Sequence, residues 1–219
     1  MLYLNPIPEK FVENYLNYFY GRSFFLLEKK LKKENFPIVS RIVGYFLAQI
    51  LLEKNPKKVL ELGTGPGLST LYMALVIKKF NLNTKIITLD IRPDFLEIAK
   101  NNFKKFKVED VVSIYNLSSQ EFLENTSEQF DFIFFDHEKR QYKKDLYLIL
   151  KRNLIKTQGV ILIDNLFARG EIFLPNSKKE RKYILLDFIN FLFSEEVLKR
   201  AFVNILPVSD GLAFLKFFK

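Results

Sequence analysis

A chain of 219 residues has room for one large α/β domain or one domain with a short helical extension, and 48% hydrophobic residues, including 24 Phe, exclude an intrinsically disordered chain. With no cysteine, a disulfide framework and a thiolate metal site are both excluded, so any metal must be held by oxygen or by the single histidine. The net charge of +9 admits an anionic partner such as nucleic acid, although a composition rich in Lys, Asn, Ile, Phe and Tyr produces the same charge without one.

Residues 1–10 hold two prolines and neither a basic n-region nor an apolar h-region, so no signal peptide is expected and the expected compartment is the cytoplasm. Residues 8–34 read as two helices broken at Gly21-Arg22-Ser23, with Ser23 as N-cap and Lys29, Lys30, Lys32 and Lys33 on a solvated face. A third helix is predicted over 40–54, from Ile42, Val43, Phe46, Leu47, Ile50 and Leu51 at helical spacing. The apolar stretch 43–52 is interrupted by Gln49 and is too short to span a bilayer.

After Asn55-Pro56 short apolar runs alternate with amphipathic stretches: 58–62 then 69–80, 85–89 then 93–106, 111–115 then a short turn or helix, 130–136 then 142–152, and 160–164 then 181–193. That alternation predicts a doubly wound, mainly parallel sheet. Residues 202–207 and 212–218 flank Ser209-Asp210-Gly211 and read as a hairpin that adds an antiparallel edge, making seven strands. The expected organisation is a single α/β domain over 1–219, with N-terminal helices in 1–54 capping a Rossmann-like core in 55–219.

Val59-Leu60-Glu61-Leu62-Gly63-Thr64-Gly65-Pro66-Gly67 is a strand entering a glycine-rich turn that opens a helix near Ser69. Glycines let the backbone approach a ligand closely, and the helix N-terminus offers free N–H groups. Two acidic residues sharpen the reading: Glu61 near the end of the first strand and Asp90 closing Ile86-Ile87-Thr88-Leu89-Asp90, where a carboxylate commonly accepts ribose hydroxyls. Pro66 removes one N–H donor from the turn, which disfavours a pyrophosphate and suits a nucleoside cofactor without one.

The fourth strand ends Phe134-Phe135-Asp136 and the fifth Ile163-Asp164-Asn165. Neighbouring parallel strands would deliver two carboxylates and an amide oxygen to one place, a hard donor set suited to Mg²⁺ or a similar divalent ion. The plainer alternative is that each Asp caps the turn after its strand. Lys139 follows Asp136 by three residues, so one helical turn would bring both to one side, where the lysine could serve as a general base or remain a surface lysine. His137 could pack against an adenosine or stand in a solvated turn.

Together these segments resemble the metal-dependent small-molecule O-methyltransferases typified by the catechol and caffeoyl-CoA enzymes, from about Phe36 to the C-terminus. Asp136-His137-Glu138-Lys139-Arg140-Gln141-Tyr142 resembles the family's Asp-x-x-Lys-x-x-Tyr segment, Asp164-Asn165 its metal-binding pair with Gly170 following, Ser118-Ser119-Gln120 an Ala-Ser-Gln segment against the adenine, and Leu206-Pro207-Val208-Ser209-Asp210-Gly211-Leu212 its closing signature. The resemblance implies that Asp136, Asp164 and Asn165 bind Mg²⁺ (or another divalent cation such as Mn²⁺ or Ca²⁺) and that Lys139 and Asp136 carry the chemistry. It places Val39, Glu61, Gly63, Thr64, Ser69, Asp90, Ser119, Gln120, Asp136 and His137 around S-adenosylmethionine.

Two departures fall on the acceptor side. Ala168 stands where the family has an aromatic residue, and Ala213 stands where catechol enzymes have a glutamate. Basic residues in 173–182 (Lys178, Lys179, Arg181, Lys182) point to an anionic acceptor, a diphenol or a CoA-linked phenol. The alternatives are a tRNA hydroxyuridine and, from another class, a non-catalytic binding module that keeps the fold. A homodimer through the N-terminal helices is a further expectation, and no membrane association is expected.

Overall fold

Sequence punctuation sets the ends of the N-terminal helices. The computed structural model describes residues 19–218, so the first of the two helices expected in 8–34 lies outside the described residues, which begin with a turn at Phe19 and Tyr20. Helix α1 is Gly21–Lys33 and begins before the expected cap: Tyr20 is the N-cap and makes no side-chain cap bond, while Ser23 lies inside the first turn. Helix α2, Arg41–Lys54, is capped by Ser40, whose hydroxyl accepts from the Val43 N–H at 3.3 Å. It stops at Asn55, which takes the left-handed conformation (φ 43°) that the proline after it leaves available.

The remaining elements alternate as far as α7 and close with a second helix and two strands: β1 Lys58–Leu62, α3 Leu68–Phe80, β2 Lys85–Leu89, α4 Pro93–Phe106, β3 Val112–Tyr115, α5 Ser119–Asn125, β4 Phe130–Phe135, α6 Tyr142–Lys151, β5 Ile155–Ile163, α7 Glu180–Leu192, the short α8 Glu195–Leu198, β6 Ala201–Leu206 and β7 Leu212–Phe217. The sheet order is β3-β2-β1-β4-β5-β7-β6. Strands β3 to β5 pair in parallel, and β7 joins β5 and β6 antiparallel, as the hairpin reading required. Strand β5 is longer than the apolar run 160–164, because Ile155 pairs with Phe130 across a register shift before Phe132. No helix among the described residues is long and apolar enough to cross a membrane.

Both sheet faces are covered, which explains the unbroken apolar strand Phe132-Ile133-Phe134-Phe135. Phe132 and Phe134 face α1 to α4 with Val59, Val160 and Leu162, whereas Ile133 and Phe135 face α6 and α7 with Leu60, Leu62, Ile161 and Ile163. The strand order reverses between β1 and β4. A crevice therefore opens at their carboxyl ends, where ligands of such sheets bind.

Gly63 makes the crevice possible. Its φ is 104°, and a Cβ there would collide with the Asp136 carbonyl at the end of β4. Gly63→Ala is expected to destabilise the fold by about 2–4 kcal/mol through strain and collision together. Urea unfolding measures this, and an unchanged midpoint would contradict the close approach.

Candidate active site

The carboxyl ends of β1, β2, β4 and β5 surround a cavity of about 730 Å³, large enough for a nucleoside-sized ligand with a small second molecule beside it. Its wall includes Val39, Gly63, Thr64, Ser69, Asp90, Ser119, Gln120, Asp136, His137, Lys139 and Asn165. Of the site residues expected from sequence, only Glu61 and Asp164 do not line it, and both are almost wholly buried.

Glu61 lies behind the wall because it shares the pleat of Val59, on the face covered by α3. Its Oε2 accepts from the Thr70 and Thr88 hydroxyls, the latter at 2.6 Å, and Thr88 Oγ1 lies 2.7 Å from Thr64 Oγ1. Burial pushes the Glu61 carboxyl up to about 7, against the opposing hydrogen bonds from Ser69, Thr70 and Thr88. Its Oε1 has no partner among the described residues. Here it braces the glycine turn from below and is not part of the cavity wall. Asn102 braces the same turn from α4, donating to the Pro66 carbonyl at 2.9 Å.

Asp90 closes the next strand and reaches the cavity. Its Oδ2 accepts from the Gly65 N–H at 3.0 Å and from Arg92 Nη2 at 2.9 Å, and its Oδ1 accepts from the Arg92 N–H and Nε, each at 3.0 Å. Burial alone would raise this carboxyl, but the bonds from Arg92 and Gly65 outweigh it and hold Asp90 below the ordinary carboxylate range.

The same wall holds Asp136, Lys139 and Asn165. Lys139 begins a short 3₁₀ turn, which places its Nζ 3.3 Å from Asp136 Oδ1 and 2.9 Å from the His137 carbonyl. The ammonium also lies 5.1 Å from the Tyr142 ring centroid. Asp164 sits just behind, with Oδ1 accepting from the Asn165 N–H at 2.7 Å. Burial and the neighbouring Asp136 push Asp164 up to about 8; burial raises Asp136 as well, with Lys139 opposing. Tyr142, fully buried, donates to the Asp164 carbonyl at 3.1 Å and so ties the two strand ends together. Among the described residues no group of three or more His, Cys, Asp or Glu side chains is arranged to hold a metal. The expected set reaches three only with the Asn165 amide.

Two residues of the site, Asp145 and Arg169, had no distinguishing signal in the sequence. Asp145, wholly buried on α6, accepts from or donates to His137 Nε2 at 2.6 Å and holds that ring at the cavity wall. Arg169 and Arg181 also line the cavity, with Ala168 and Asp210. The basic stretch 178–182 divides: Lys179 pairs with Glu171 at 2.7 Å, Lys182 is buried with Nζ on the Leu174 carbonyl at 2.5 Å, and of its four basic residues only Arg181 reaches the cavity. Ala213 is buried inside β7, opposite Ile163 and Ile205.

The O-methyltransferase family profile matches residues 26–217. Catechol O-methyltransferase B of Danio rerio is 33% identical over 132 residues, 58% of this chain and 49% of that protein, so the chain spans about half of that relative's length. Probable caffeoyl-CoA O-methyltransferase 1 of Dictyostelium discoideum is 28% identical over 174 residues, 77% of this chain and 71% of that one. In three dimensions the SAH-bound Podospora anserina methyltransferase PaMTH1 superposes with a TM-score of 0.82 at 25% identity, covering 100% of this chain and 99% of the other.

Proposed function

This chain belongs to the O-methyltransferase family, a class I S-adenosylmethionine-dependent family of the catechol and caffeoyl-CoA type, and from that premise we propose that it moves a methyl group from S-adenosylmethionine to a hydroxyl of a small, anionic phenolic acceptor. One observation carries the reading: the glycine turn and Asp90 line the same cavity as Asp136, Lys139 and Asn165. The first set suits a nucleoside and the second a hydroxyl that must lose a proton.

Methyl transfer is an in-line displacement. The acceptor oxygen bonds to the methyl carbon while the carbon–sulfur bond breaks, and that electron pair stays on sulfur. The protein's part is to align the two molecules and take the hydroxyl proton. Lys139 Nζ is the acceptor of that proton: two of its positions are fixed by Asp136 Oδ1 and the His137 carbonyl, which leaves another for the substrate hydroxyl. His137, held by Asp145, packs beside the cofactor, and Asp90 receives the ribose.

Asp136, Asp164 and Asn165 are the residues that would hold a divalent cation, Mg²⁺ or a similar ion. Their chemistry fits, because two adjacent carboxylates both held above their ordinary range are short of positive charge, and hard oxygens suit such ions. When bound, the ion would supply Lewis-acid polarisation of the acceptor hydroxyl.

Arg169 and Arg181 favour an acceptor that carries a carboxylate or phosphate, since guanidinium groups pair with both in forked geometry. Replacing both by alanine is expected to raise KM about tenfold for a carboxylated vicinal diphenol while changing that for a neutral one less than about threefold. The test is a methyl-transfer screen against both diphenols and total RNA, with and without Mg²⁺. Transfer to none of them would sink the assignment. Transfer to RNA alone, falling steeply with salt, would replace the small acceptor by a nucleic acid.

A further inference from the structure

Asp90 presents a carboxylate to the cavity with every acceptor position filled. A carboxylate has about four lone-pair sites, and here four donors occupy them: the Gly65 N–H, the Arg92 N–H, and Nε and Nη2 of the Arg92 guanidinium. The backbone donors belong to the fold, since Gly65 is part of the glycine turn and Arg92 leads into α4. The guanidinium does not. Its side chain is 45% exposed against 5% for Asp90, and it rests on the Phe95 ring, 3.8 Å from the centroid. Phe95 is in turn held edge-on by Phe36 at 5.4 Å.

We infer that Arg92 is a latch on the ribose subsite: its guanidinium occupies the two positions on Asp90 that a ribose diol requires, so the cofactor's diol must displace it on binding. The inference rests on the reading that this cavity takes a nucleoside cofactor whose ribose meets Asp90. Both exchanging partners bring two donors to the same two oxygens, which makes the swap hydrogen bond for hydrogen bond. The released guanidinium stays charged, keeps its stacking contact with Phe95 and gains water, because nearly half of it is already exposed. Charge-assisted, forked pairs are the stronger class of hydrogen bond, so the displaced pair subtracts from the affinity the diol would otherwise confer. Arg92 thereby sets how much this enzyme gains from recognising the ribose. Asp136, by contrast, is held by Lys139 through a single longer contact of 3.3 Å.

Calorimetric titration of the full chain tests this with two probes, S-adenosylhomocysteine and its 2′,3′-dideoxy analogue, on the parent protein, Arg92→Ala and Arg92→Lys. Arg92→Ala is expected to bind S-adenosylhomocysteine about tenfold more tightly, while affinity for the analogue changes by less than about threefold. Arg92→Lys, which keeps the charge but loses the fork, is expected to fall between. The penalty for removing the diol is therefore small in the parent and large in Arg92→Ala. Weaker binding of S-adenosylhomocysteine by Arg92→Ala, or equal tightening for both probes, overturns the latch while leaving the cofactor assignment standing. Failure of the parent and both variants to bind S-adenosylhomocysteine overturns the cofactor assignment and the latch with it.

Discussion

Lys139→Ala is expected to lower kcat by about 10²–10⁴-fold, the usual contribution of a positioned general base, with S-adenosylmethionine affinity within about threefold of the parent. The second half follows from the bonding: Lys139 Nζ is bonded to Asp136 Oδ1 and the His137 carbonyl, whereas Asp90 is held by Gly65 and Arg92. Lys139→Arg separates a base from a mere cation. Arginine keeps the positive charge beside Asp136 but stays protonated at any working pH, so it cannot receive the hydroxyl proton. It should be as impaired as Lys139→Ala. In both variants turnover should climb as pH rises, because hydroxide in solution then removes the proton that Nζ no longer takes. Stopped-time assays of methyl transfer across pH 6–10 read all three features. Near-parental kcat in Lys139→Arg would reduce the residue's role to electrostatics.

The strand ends that carry this chemistry were legible because burial on both faces writes them as apolar runs broken by an acidic residue. Phe132 to Phe135 followed by Asp136, and Val160 to Ile163 followed by Asp164, needed no structure to be found. The start of β5 was hidden by Lys156, Thr157 and Gln158, whose polarity reads as a loop. In the fold Lys156 pairs with Asp131 at 2.9 Å, and the Gln158 carbonyl accepts from Lys54 and Lys216. The site divided along similar lines. Residues set by a strand end or a glycine turn were placed at the cavity, whereas the burial of Glu61 and Asp164 behind its wall was not legible: pleat alternation turns Glu61 toward Thr70 and Thr88, and the Asp164 carbonyl accepts from the buried Tyr142. Asp145 and Arg92 act through side-chain partners, His137 and Asp90, that an isolated Asp or Arg in a sequence does not announce. Ala213 was read as a change in acceptor contacts, yet its side chain is buried in the core on the sheet face covered by α6 and α7.

Asp164→Asn is expected to make the ligand-free protein more stable and the enzyme nearly inactive. Burial and the Asp136 charge raise the Asp164 carboxyl from the ordinary carboxylate range to about 8. A carboxyl raised in the folded state contributes fully to stability below its unfolded pKa of about 4, and that contribution is lost as pH rises through about 8. The asparagine cannot ionise. Melting curves at pH 3 should therefore nearly coincide, whereas at pH 9 the variant should gain about 2–5 kcal/mol relative to the parent. Mg²⁺ added at pH 9 should raise the parent's melting temperature and leave Asp164→Asn almost unmoved, since one of the two charges that would hold the ion is gone. Turnover should fall about 10²-fold or more and cease to respond to Mg²⁺ or to a chelator. Opposite signs for stability and activity distinguish a charge kept for chemistry from one kept for the fold, because a structural carboxylate would lose both together. Full activity of the parent in excess chelator would remove the cation from this account and leave Asp136 and Asp164 a repulsive pair with no cation-binding role.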